Sequence, residues 1–390
     1  MFNKKHDLAI INRSFWPESE ILGEAKLRLA EFVAESGKAC VITQTKVDLI
    51  SELKKSDRGT GVTFYASKSR TNSSSSLVRR ILDAVSFAPF VFLSLVRSRP
   101  KHVYVSTNPP VIVPFTVFLY CLIWRSSYTY HLQDIHPEIV NIVSPINRML
   151  FRLLRGIDNI TLRNAKRIIT LSDEMAEYVK KVSRTESAIS LLDNPGFEVD
   201  TDLQSKPKTK DFIFCGNAGR VQQIPILIDA IRGYLDQGGE LSFTFAGGGI
   251  YSSKIKQLAD EYEKVTYHGY VKPSEANQLV AEHRWALLPI LDEVTKYAFP
   301  SKSSSYLAAG CRILAVSSKH SSVSKWVESK GVGVSVDPSK SALVEAFFSI
   351  EKTGQVESLV SGEKVSVKPQ TIESFLSELR DIFSAHKQRC

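Results

Sequence analysis

The sequence is poor in cysteine and has no paired cysteine motif. Its 390 residues contain five scattered cysteines, with no C-x-x-C pair among them. They are Cys40, Cys121, Cys215, Cys311 and Cys390. An odd number of isolated thiols argues against a disulfide framework and against a cysteine zinc knuckle. We therefore expect a protein of a reducing compartment.

Long apolar runs are also absent. The most apolar segment, residues 111–124, is shorter than the roughly 20 residues that span a bilayer, and predicts a buried crossover helix. Residues 76–99 place Phe87, Phe90, Phe92 and Leu93 between arginines. That pattern fits either an interfacial helix on an anionic membrane or an ordinary sheet-covering helix. The first residues show no apolar core of a secretory signal, so we expect no secretion.

The sequence has neither a nucleic-acid-binding motif nor a dinucleotide-binding motif. The net charge of +9 resides mainly in residues 1–200, which hold 27 Lys and Arg against 20 Asp and Glu. These charges are not interleaved with aromatics in a nucleic-acid-binding motif, so an anionic substrate or membrane surface is the better prediction. No G-x-G-x-x-G follows the first predicted strand, which argues against a dinucleotide-dependent oxidoreductase.

The composition and length indicate a globular α/β protein of two domains. Hydrophobic residues make up 43% and charged residues 23% of a chain too long for one ordinary core. Strand-like and helix-like segments alternate throughout, as in doubly wound parallel sheets flanked by helices. A lysine-rich linker near residue 200 divides the chain. We predict domains at 1–200 and 201–368, and a C-terminal helix at 369–390 that packs against a domain.

Two glycine-rich turns follow predicted strands of the second half. Gly216, Asn217, Gly219 and Arg220 come after "DFIFC", and the turn that contains Gly248 comes after "FTFA". Backbone N–H groups in such turns bind anions, and an arginine binds phosphate oxygens with two hydrogen bonds. Each turn taken alone is more often a tight connection than a ligand site, and this holds most strongly for the turn that contains Gly248.

The segment "AFPSKSSSYLAAGCRILAV", residues 298–316, combines a lysine with a run of small residues. Pro300 and Ser301 predict a helix start, and the helix should extend through Ala309, before a strand at 311–316. Small side chains would allow close approach to the helix backbone, and Lys302 lies where a helix attracts anions. We expect a phosphate-bearing ligand there.

A histidine and several polar residues follow a strand in "YTYHLQDIHPEIV". The spacing of His131 and His136 is not that of a helical metal pair, so no metal is predicted. His131 could instead hydrogen-bond a substrate hydroxyl or a leaving phosphate. Asp134 could simply cap the following helix.

Four segments together resemble the successive motifs of glycosyltransferase family 4, of the bacterial capsule, O-antigen and colanic-acid type. They are "FWPESEILGEAKLRLAEFVAESGKACVIT", "YHLQDIHPEIV", "CGNAGRVQQIPILIDAI" and "FPSKSSSYLAAGCRILAV". The resemblance implies a GT-B fold with two Rossmann-like doubly wound parallel-sheet domains and an interdomain cleft. The donor would bind mainly to the second domain and the acceptor to the first, with the C-terminal helix crossing back.

The resemblance also implies a retaining, metal-independent transfer without a cofactor. The donor would be a nucleoside diphosphate sugar, expected to be a UDP-N-acetylamino sugar, and the acceptor a lipid-linked glycan of lipopolysaccharide or capsule biosynthesis. The protein would act in the cytoplasm, peripheral on the inner face of the plasma membrane. The catalytic residues would be His131, Arg220 and Lys302.

The remaining matched positions would contact the donor or acceptor. They are Gly23, Gly216, Asn217, Gly219, Gly248, Pro300, Ser301 and Ser305. One departure stands out, because the two carboxylates of the family's E-x7-E element are replaced by Tyr297 and Ser305. The departure leaves two alternatives open, a GDP-sugar donor or a non-catalytic nucleotide- or glycan-binding subunit of an assembly complex.

Overall fold

The computed structural model describes residues 4–69, 77–197, 207–353 and 369–384 of the chain. It divides the chain into two compact units. Unit 1 comprises Met1–Asp193 together with Ile372–Cys390, and unit 2 comprises Asn194–Thr371. Sequence reasoning had placed the divisions after residues 200 and 368.

Unit 1 is built on seven parallel strands in the order β3-β2-β1-β4-β5-β6-β7. Its elements are β1 (His6–Ile11), α1 (Leu22–Ser36), β2 (Ala39–Thr45), α2 (Leu49–Lys55), β3 (Thr63–Lys68), α3 (Leu77–Ser98), β4 (Pro100–Ser106), α4 (Ile112–Trp124), β5 (Ser127–His131), α5 (Glu138–Val143), α6 (Arg148–Asn164), β6 (Arg167–Thr170), α7 (Asp173–Ser183) and β7 (Ala188–Leu191).

Unit 2 is built on six parallel strands in the order β10-β9-β8-β11-β12-β13. Its elements are β8 (Lys210–Cys215), α8 (Ile224–Leu235), β9 (Phe243–Ala246), α9 (Ser252–Glu261), β10 (Val265–Tyr267), α10 (Pro273–Ala281), β11 (His283–Pro289), α11 (Asp292–Thr295), α12 (Lys302–Ala308), β12 (Arg312–Val316), α13 (Ser322–Ser329), β13 (Gly333–Val336) and α14 (Lys340–Thr353). The sequence predicts all six strands, in "DFIFCGNAG", "LSFTFAGGG", "VTYHGY", "WALLPI", "RILAVS" and "GVGVSVD".

The C-terminal helix, α15 (Ile372–Ser384), packs on unit 1. Its buried residues Ile372, Phe375, Leu376 and Leu379 join the core of α1 and the central strands. The core of unit 2 is more aromatic, and Phe212 stacks on Phe243 with ring centroids 5.2 Å apart. Each unit therefore has its own hydrophobic core.

In both sheets the strand order reverses beside the first strand, between β1 and β4 in unit 1 and between β8 and β11 in unit 2. Ligands of open parallel sheets bind outside the carboxyl ends of the strands at such a switch point. The loops after β1, β5, β8 and β9 and the segment before α12 therefore carry the candidate site residues.

The two apolar segments of unit 1 are helices that cover the sheet. α4 packs on β4 and β5, as predicted for a crossover helix, and α3 contacts β1, β2 and β3. Of the bulky residues on which the interfacial interpretation of α3 depends, Phe87 is buried, Phe90 and Phe92 are half-buried and Leu93 is exposed, so that interpretation stays a prediction. Within the described ranges, no helix has the length and apolar content needed to cross a bilayer.

Candidate active site

The turns after β8 and β9 touch through their backbones. Gly216 donates its N–H to the Ala246 carbonyl at 2.8 Å and has a φ of +133°. Gly247 has a φ of +119°, and a Cβ there would lie 2.2 Å from the Gly216 carbonyl oxygen. Only glycine tolerates both the backbone angle and the contact. The glycines therefore bring two strand ends together.

The backbone contact between the two turns continues at Ala218, Gly248 and Gly249. The Ala218 N–H donates to the Gly248 carbonyl at 2.8 Å. A Cβ on Gly249, whose φ is +151°, would lie 2.3 Å from the Ala218 carbonyl oxygen. A Cβ on Gly248 would meet nothing within 4 Å, so this residue borders open space. The two predicted turns thus form one layer of backbone, which we call the glycine layer (Gly216–Gly219 and Gly247–Gly249).

Lys302 lies directly against the glycine layer. A Cβ on Gly216 would be 2.5 Å from Lys302 Cε and 2.9 Å from Nζ. The ammonium also lies 4.0 Å from the centre of the Phe214 ring, a cation–π distance. Burial lowers the pKa of Lys302 to about 8, although the nearby Cys215 thiol opposes this shift. No carboxylate in the described residues forms a salt bridge with this half-buried cation.

The helix α12 that carries Lys302 is fixed to the end of β8. The Tyr306 hydroxyl accepts a hydrogen bond from the Cys215 N–H at 3.0 Å and donates to the Cys215 carbonyl at 3.2 Å. The helix begins after Ser301, and the Ser303 hydroxyl donates to the Pro300 carbonyl at 2.8 Å. Lys302 is therefore held by rigid elements on both sides.

The small residues of α12 have a structural explanation that the sequence did not suggest. A Cβ on Gly196 would lie 2.6 Å from the Ser304 carbonyl oxygen and 2.9 Å from Ala308 Cβ. The Gly196 N–H also donates to the Gln370 carbonyl at 2.8 Å. The backbone that approaches α12 is thus the chain's own. This packing also explains why unit 2 begins before residue 200.

Arg220 and Asn217 are exposed at the edge of the glycine layer. Arg220 opens a short 3-10 turn that ends at Gln222, whose side chain accepts the Gly219 N–H at 3.1 Å. The following Gln223 is buried, and its amide donates to the carbonyls of Ile290 and Val316 at 2.5 and 3.2 Å. The turn is therefore anchored while its arginine side chain is accessible. Ser305 and Tyr297 are half-buried.

His131 is at the end of β5 in unit 1 and is fully buried. Its Nδ1 hydrogen-bonds the Tyr104 hydroxyl, and its Nε2 is 2.9 Å from the Gln133 side-chain nitrogen. Phe375 of α15 stacks on the ring with centroids 6.3 Å apart. Burial lowers the pKa of His131 to about 3, so the ring is neutral. Direct contact of His131 with a donor sugar stays a prediction, and would require Gln133 to release Nε2.

Gly23 lies in the first turn of α1, where a side chain does not fit. A Cβ there would lie 2.6 Å from the Trp16 nitrogen and 2.8 Å from Ser19 Cβ. The Gly23 N–H donates to the Ser19 hydroxyl at 3.2 Å. Gly23 therefore allows the loop after β1 to fold back on the helix start, which is the loop that the resemblance places near the ligands.

Lys26, one turn further along α1, is a candidate site residue that sequence reasoning missed. Its side chain is buried, and the described chain offers it neither a hydrogen bond nor an ion pair. Burial lowers its pKa to about 7, and its charge contributes to the lowered pKa of His131. An anion that bound here would pair with the ammonium and raise the pKa again.

Asp134 does not cap the following helix, as the sequence had allowed. The helix α5 starts after Pro137 and has no side-chain cap. Burial raises the pKa of Asp134 to about 6. Unit 1 thus places a buried lysine, a neutral histidine and a desolvated carboxyl group near the carboxyl ends of its central strands.

Known proteins with similar sequences are glycosyltransferases. Residues 198–364, which include the glycine layer and α12, match the family described as "Glycosyl transferases group 1". The chain is also 25% identical over 271 residues to "Probable glycosyltransferase WbjE" of Pseudomonas aeruginosa, covering 65% of this chain and 67% of that protein.

Solved structures share the fold over nearly the whole chain. HepE from Anabaena in complex with UDP has a TM-score of 0.62 at 14% identity and covers 97% of this chain and 100% of HepE. The apo lipopolysaccharide outer core galactosyltransferase WaaB has a TM-score of 0.60 at 14% identity, over 97% and 99% of the two chains. The fold class is GT-B, as predicted, and the chain is a glycosyltransferase.

Proposed function

We propose that the protein transfers a sugar from a UDP-N-acetylamino sugar to a lipid-linked glycan in the biosynthesis of a surface polysaccharide, lipopolysaccharide O-antigen or capsule. The observation that carries the proposal is the Lys302 ammonium held against the backbone of Gly216. A lysine without a carboxylate partner, beside a glycine-built turn at a switch point, suits a diphosphate. The UDP bound to HepE supports the choice of nucleotide.

The proposed reaction is retaining and independent of metal and cofactor. The difficult step is departure of the nucleoside diphosphate, on which negative charge develops. Lys302 would neutralise this charge from a fixed position, and exposed Arg220 would bind the phosphate oxygens as a planar fork. Gly248 borders open space in which the phosphates would lie. We assign Gly216, Asn217, Gly219, Pro300 and Ser301 to the same donor site.

In unit 1, Gly23, His131 and Lys26 are the residues that we assign to the acceptor and the reacting sugar. A lipid-linked acceptor carries an anionic diphosphate, which would attract Lys26, a lysine with no partner among the described residues. The lipopolysaccharide enzyme WaaB among the structural relatives supports an acceptor of this kind. Such an acceptor requires work at the cytoplasmic face of the plasma membrane.

The test is a transfer assay with labelled UDP-sugars and polyprenyl diphosphate acceptors. We expect transfer from a UDP-N-acetylamino sugar with retention at the anomeric carbon, undiminished by chelators of divalent ions. Absence of transfer from every nucleotide sugar would contradict the proposal. Inversion, or loss of activity on chelation, would refute the mechanism while leaving the substrate class intact.

Ser305 favours a second candidate donor, a GDP-sugar. The serine replaces a carboxylate that would hold the ribose hydroxyls, and so weakens the features that fix the nucleoside. Thermal stabilisation by GDP and not by UDP would decide for this alternative. Nucleotide binding without transfer from any donor would instead indicate a non-catalytic subunit of an assembly complex.

A further inference from the structure

Helix α6 of unit 1 buries charged side chains and exposes apolar ones. Arg155 and Asp158 are buried, whereas Met149, Leu153 and Ile160 are 79%, 60% and 41% exposed. The three apolar residues are spaced by four and seven positions, so they form one stripe on the outer face of the helix. A helix on a globular protein normally presents the opposite arrangement. The exposed stripe therefore needs an explanation outside the core.

Buried ion pairs fix the orientation of α6. Arg155 donates to Glu138 at 2.8 Å and also pairs with Asp158. Tyr130 donates to Asp158 at 3.0 Å, and Tyr178 donates to Glu138 at 2.6 Å. Rotation of the apolar stripe inward would separate these charges and leave them unpaired in the interior, which is strongly unfavourable. The stripe is thus a stable feature of the folded unit.

The apolar surface continues onto the two neighbouring helices. α4 packs against both α3 and α6, and exposes Leu122 and Ile123 by 65% and 52%. Leu93 of α3 is 67% exposed, and its neighbour Phe92 contacts Trp124 of α4 edge-on at 5.9 Å. Nine of the sixteen large apolar side chains exposed in the described residues belong to these three helices. We call this surface the α3–α4–α6 face.

The charges on this face are all positive. Among the described side chains of the three helices, the exposed charged residues are Arg97, Arg148, Arg152 and Arg163, and Arg125 follows α4 directly. The two acidic residues, Asp83 and Asp158, are buried in pairs with arginines. Exposed aliphatic side chains flanked by arginines are complementary to a bilayer surface with anionic headgroups.

We propose that the α3–α4–α6 face docks on an anionic lipid bilayer. The proposal deepens the proposed function and rests on it for the lipid-linked acceptor, to which docking would give access. A protein partner is less well matched, because leucine is under-represented among the hot spots of protein interfaces, whereas most of the large exposed apolar residues here are leucine and isoleucine. Trp124, partly buried beside Ile123, suits the headgroup level of a bilayer.

The test is co-sedimentation of the full chain with vesicles of phosphatidylcholine, with and without phosphatidylglycerol. We expect binding to the anionic vesicles that weakens with salt. The pair Met149→Gln and Leu153→Gln should weaken binding at least about tenfold, since two exposed apolar contacts are lost. Arg148→Gln and Arg152→Gln should each weaken it about fivefold.

Matched controls separate this surface from general effects. Ile250→Gln removes an exposed apolar side chain of unit 2, and Lys256→Gln an exposed charge there, so both should bind vesicles like the wild type. UDP affinity and melting temperature should be unchanged in the α6 variants, which excludes misfolding. Vesicle binding without UDP binding would refute the proposed donor but leave the docking face intact.

Three results would overturn the proposal. The first is no binding of the wild type to anionic vesicles at low salt. The second is equal binding by the wild type and the Met149→Gln/Leu153→Gln variant. The third is a wild-type dimer in solution that the same variant converts to a monomer without change in vesicle binding, which would make this face an interface between copies of the chain.

Discussion

Each unit of the protein holds a desolvated lysine near the carboxyl ends of its parallel strands, but the two lysines are supported differently. Lys302 in unit 2 rests on the Phe214 ring and on the glycine layer, and its pKa is lowered to about 8. Lys26 in unit 1 is 3% exposed, has no pairing partner in the described chain, and has a pKa lowered to about 7.

The difference shows two ways in which a fold can prepare a cation for an anionic ligand. Lys302 is positioned by backbone geometry, so the surrounding glycines are essential to it. Lys26 is stored in the core at a cost to stability, because a buried ammonium without a counter-ion is unfavourable. Adding a side chain to the glycine layer beside Lys302 should therefore destabilise the protein. Removing the charge of Lys26 should stabilise it.

The largest expected effect comes from adding a methyl group to the glycine layer. Gly247→Ala should destabilise unit 2 by about 4 kcal/mol, because its Cβ collides with the Gly216 carbonyl at a φ unsuited to alanine. Gly248→Ala is the matched control and should change stability by less than ~0.5 kcal/mol, since its Cβ meets open space. Urea unfolding measures the stability of both variants. Equal stabilities of Gly247→Ala and Gly248→Ala would show that the glycine layer is not tightly packed.

Removal of the buried charge in unit 1 should have the opposite sign. Lys26→Met should stabilise the protein at pH 7 by up to about 4 kcal/mol, because each unit of the lowered pKa costs 1.36 kcal/mol and the folded ammonium has already lost about half of its proton at pH 7. The unfolded chain keeps this proton up to about pH 10.5 and the folded chain releases it near 7, so wild-type stability should rise with pH between these values. The variant should lose the part of this rise that Lys26 contributes, and keep a smaller rise between about pH 8 and 10.5 that comes from Lys302.

Thermal unfolding between pH 7 and 10 tests this prediction, with Lys46→Met as a control at an exposed lysine. The control should keep the wild-type pH dependence. A Lys26→Met protein that is less stable than the wild type at pH 7 would indicate that the ammonium has a stabilising partner. The comparison between the two lysines would then fail.

Removal of the cation in unit 2 should weaken ligand binding. Lys302→Ala should weaken UDP binding by about 1.5 to 3 kcal/mol, the usual contribution of a charge-assisted hydrogen bond. Lys256→Ala, at an exposed position of the same unit, should leave the affinity unchanged. Calorimetric titration with UDP distinguishes the two, and the same affinity for both variants would mean that the diphosphate binds elsewhere.

Much of unit 2 could be predicted from its sequence. Its strands are short apolar runs, most of them next to a glycine, so the six strands and the position of Lys302 were predicted from apolar patterns and turn residues. In unit 1 the edge strand β3 was missed, because it is partly exposed and has no apolar run, whereas a strand ending before Asn194 was expected and is β7. Edge strands carry a weak pattern for this reason.

Other features depend on tertiary packing and leave little trace in the sequence. The helical pattern of α1 predicts that Leu27, Leu29, Ala30, Val33 and Ala34 face the sheet; the first three are buried and the last two half-buried, but nothing marked Lys26 as a buried neighbour. The apolar stripe of α6 reads as a core face until Arg155 and Asp158 are seen inside. The approach of Gly196 to α12 joins segments more than 100 residues apart.

The most direct test of the diphosphate site is the number of protons taken up when UDP binds at pH 8.5. Calorimetry in buffers of different ionisation enthalpy gives this number. At that pH, Lys302 is partly deprotonated, and a bound diphosphate should raise its pKa and draw in about half a proton or more. The account predicts this uptake in the wild type and its loss in Lys302→Ala. Equal uptake by both proteins would contradict it.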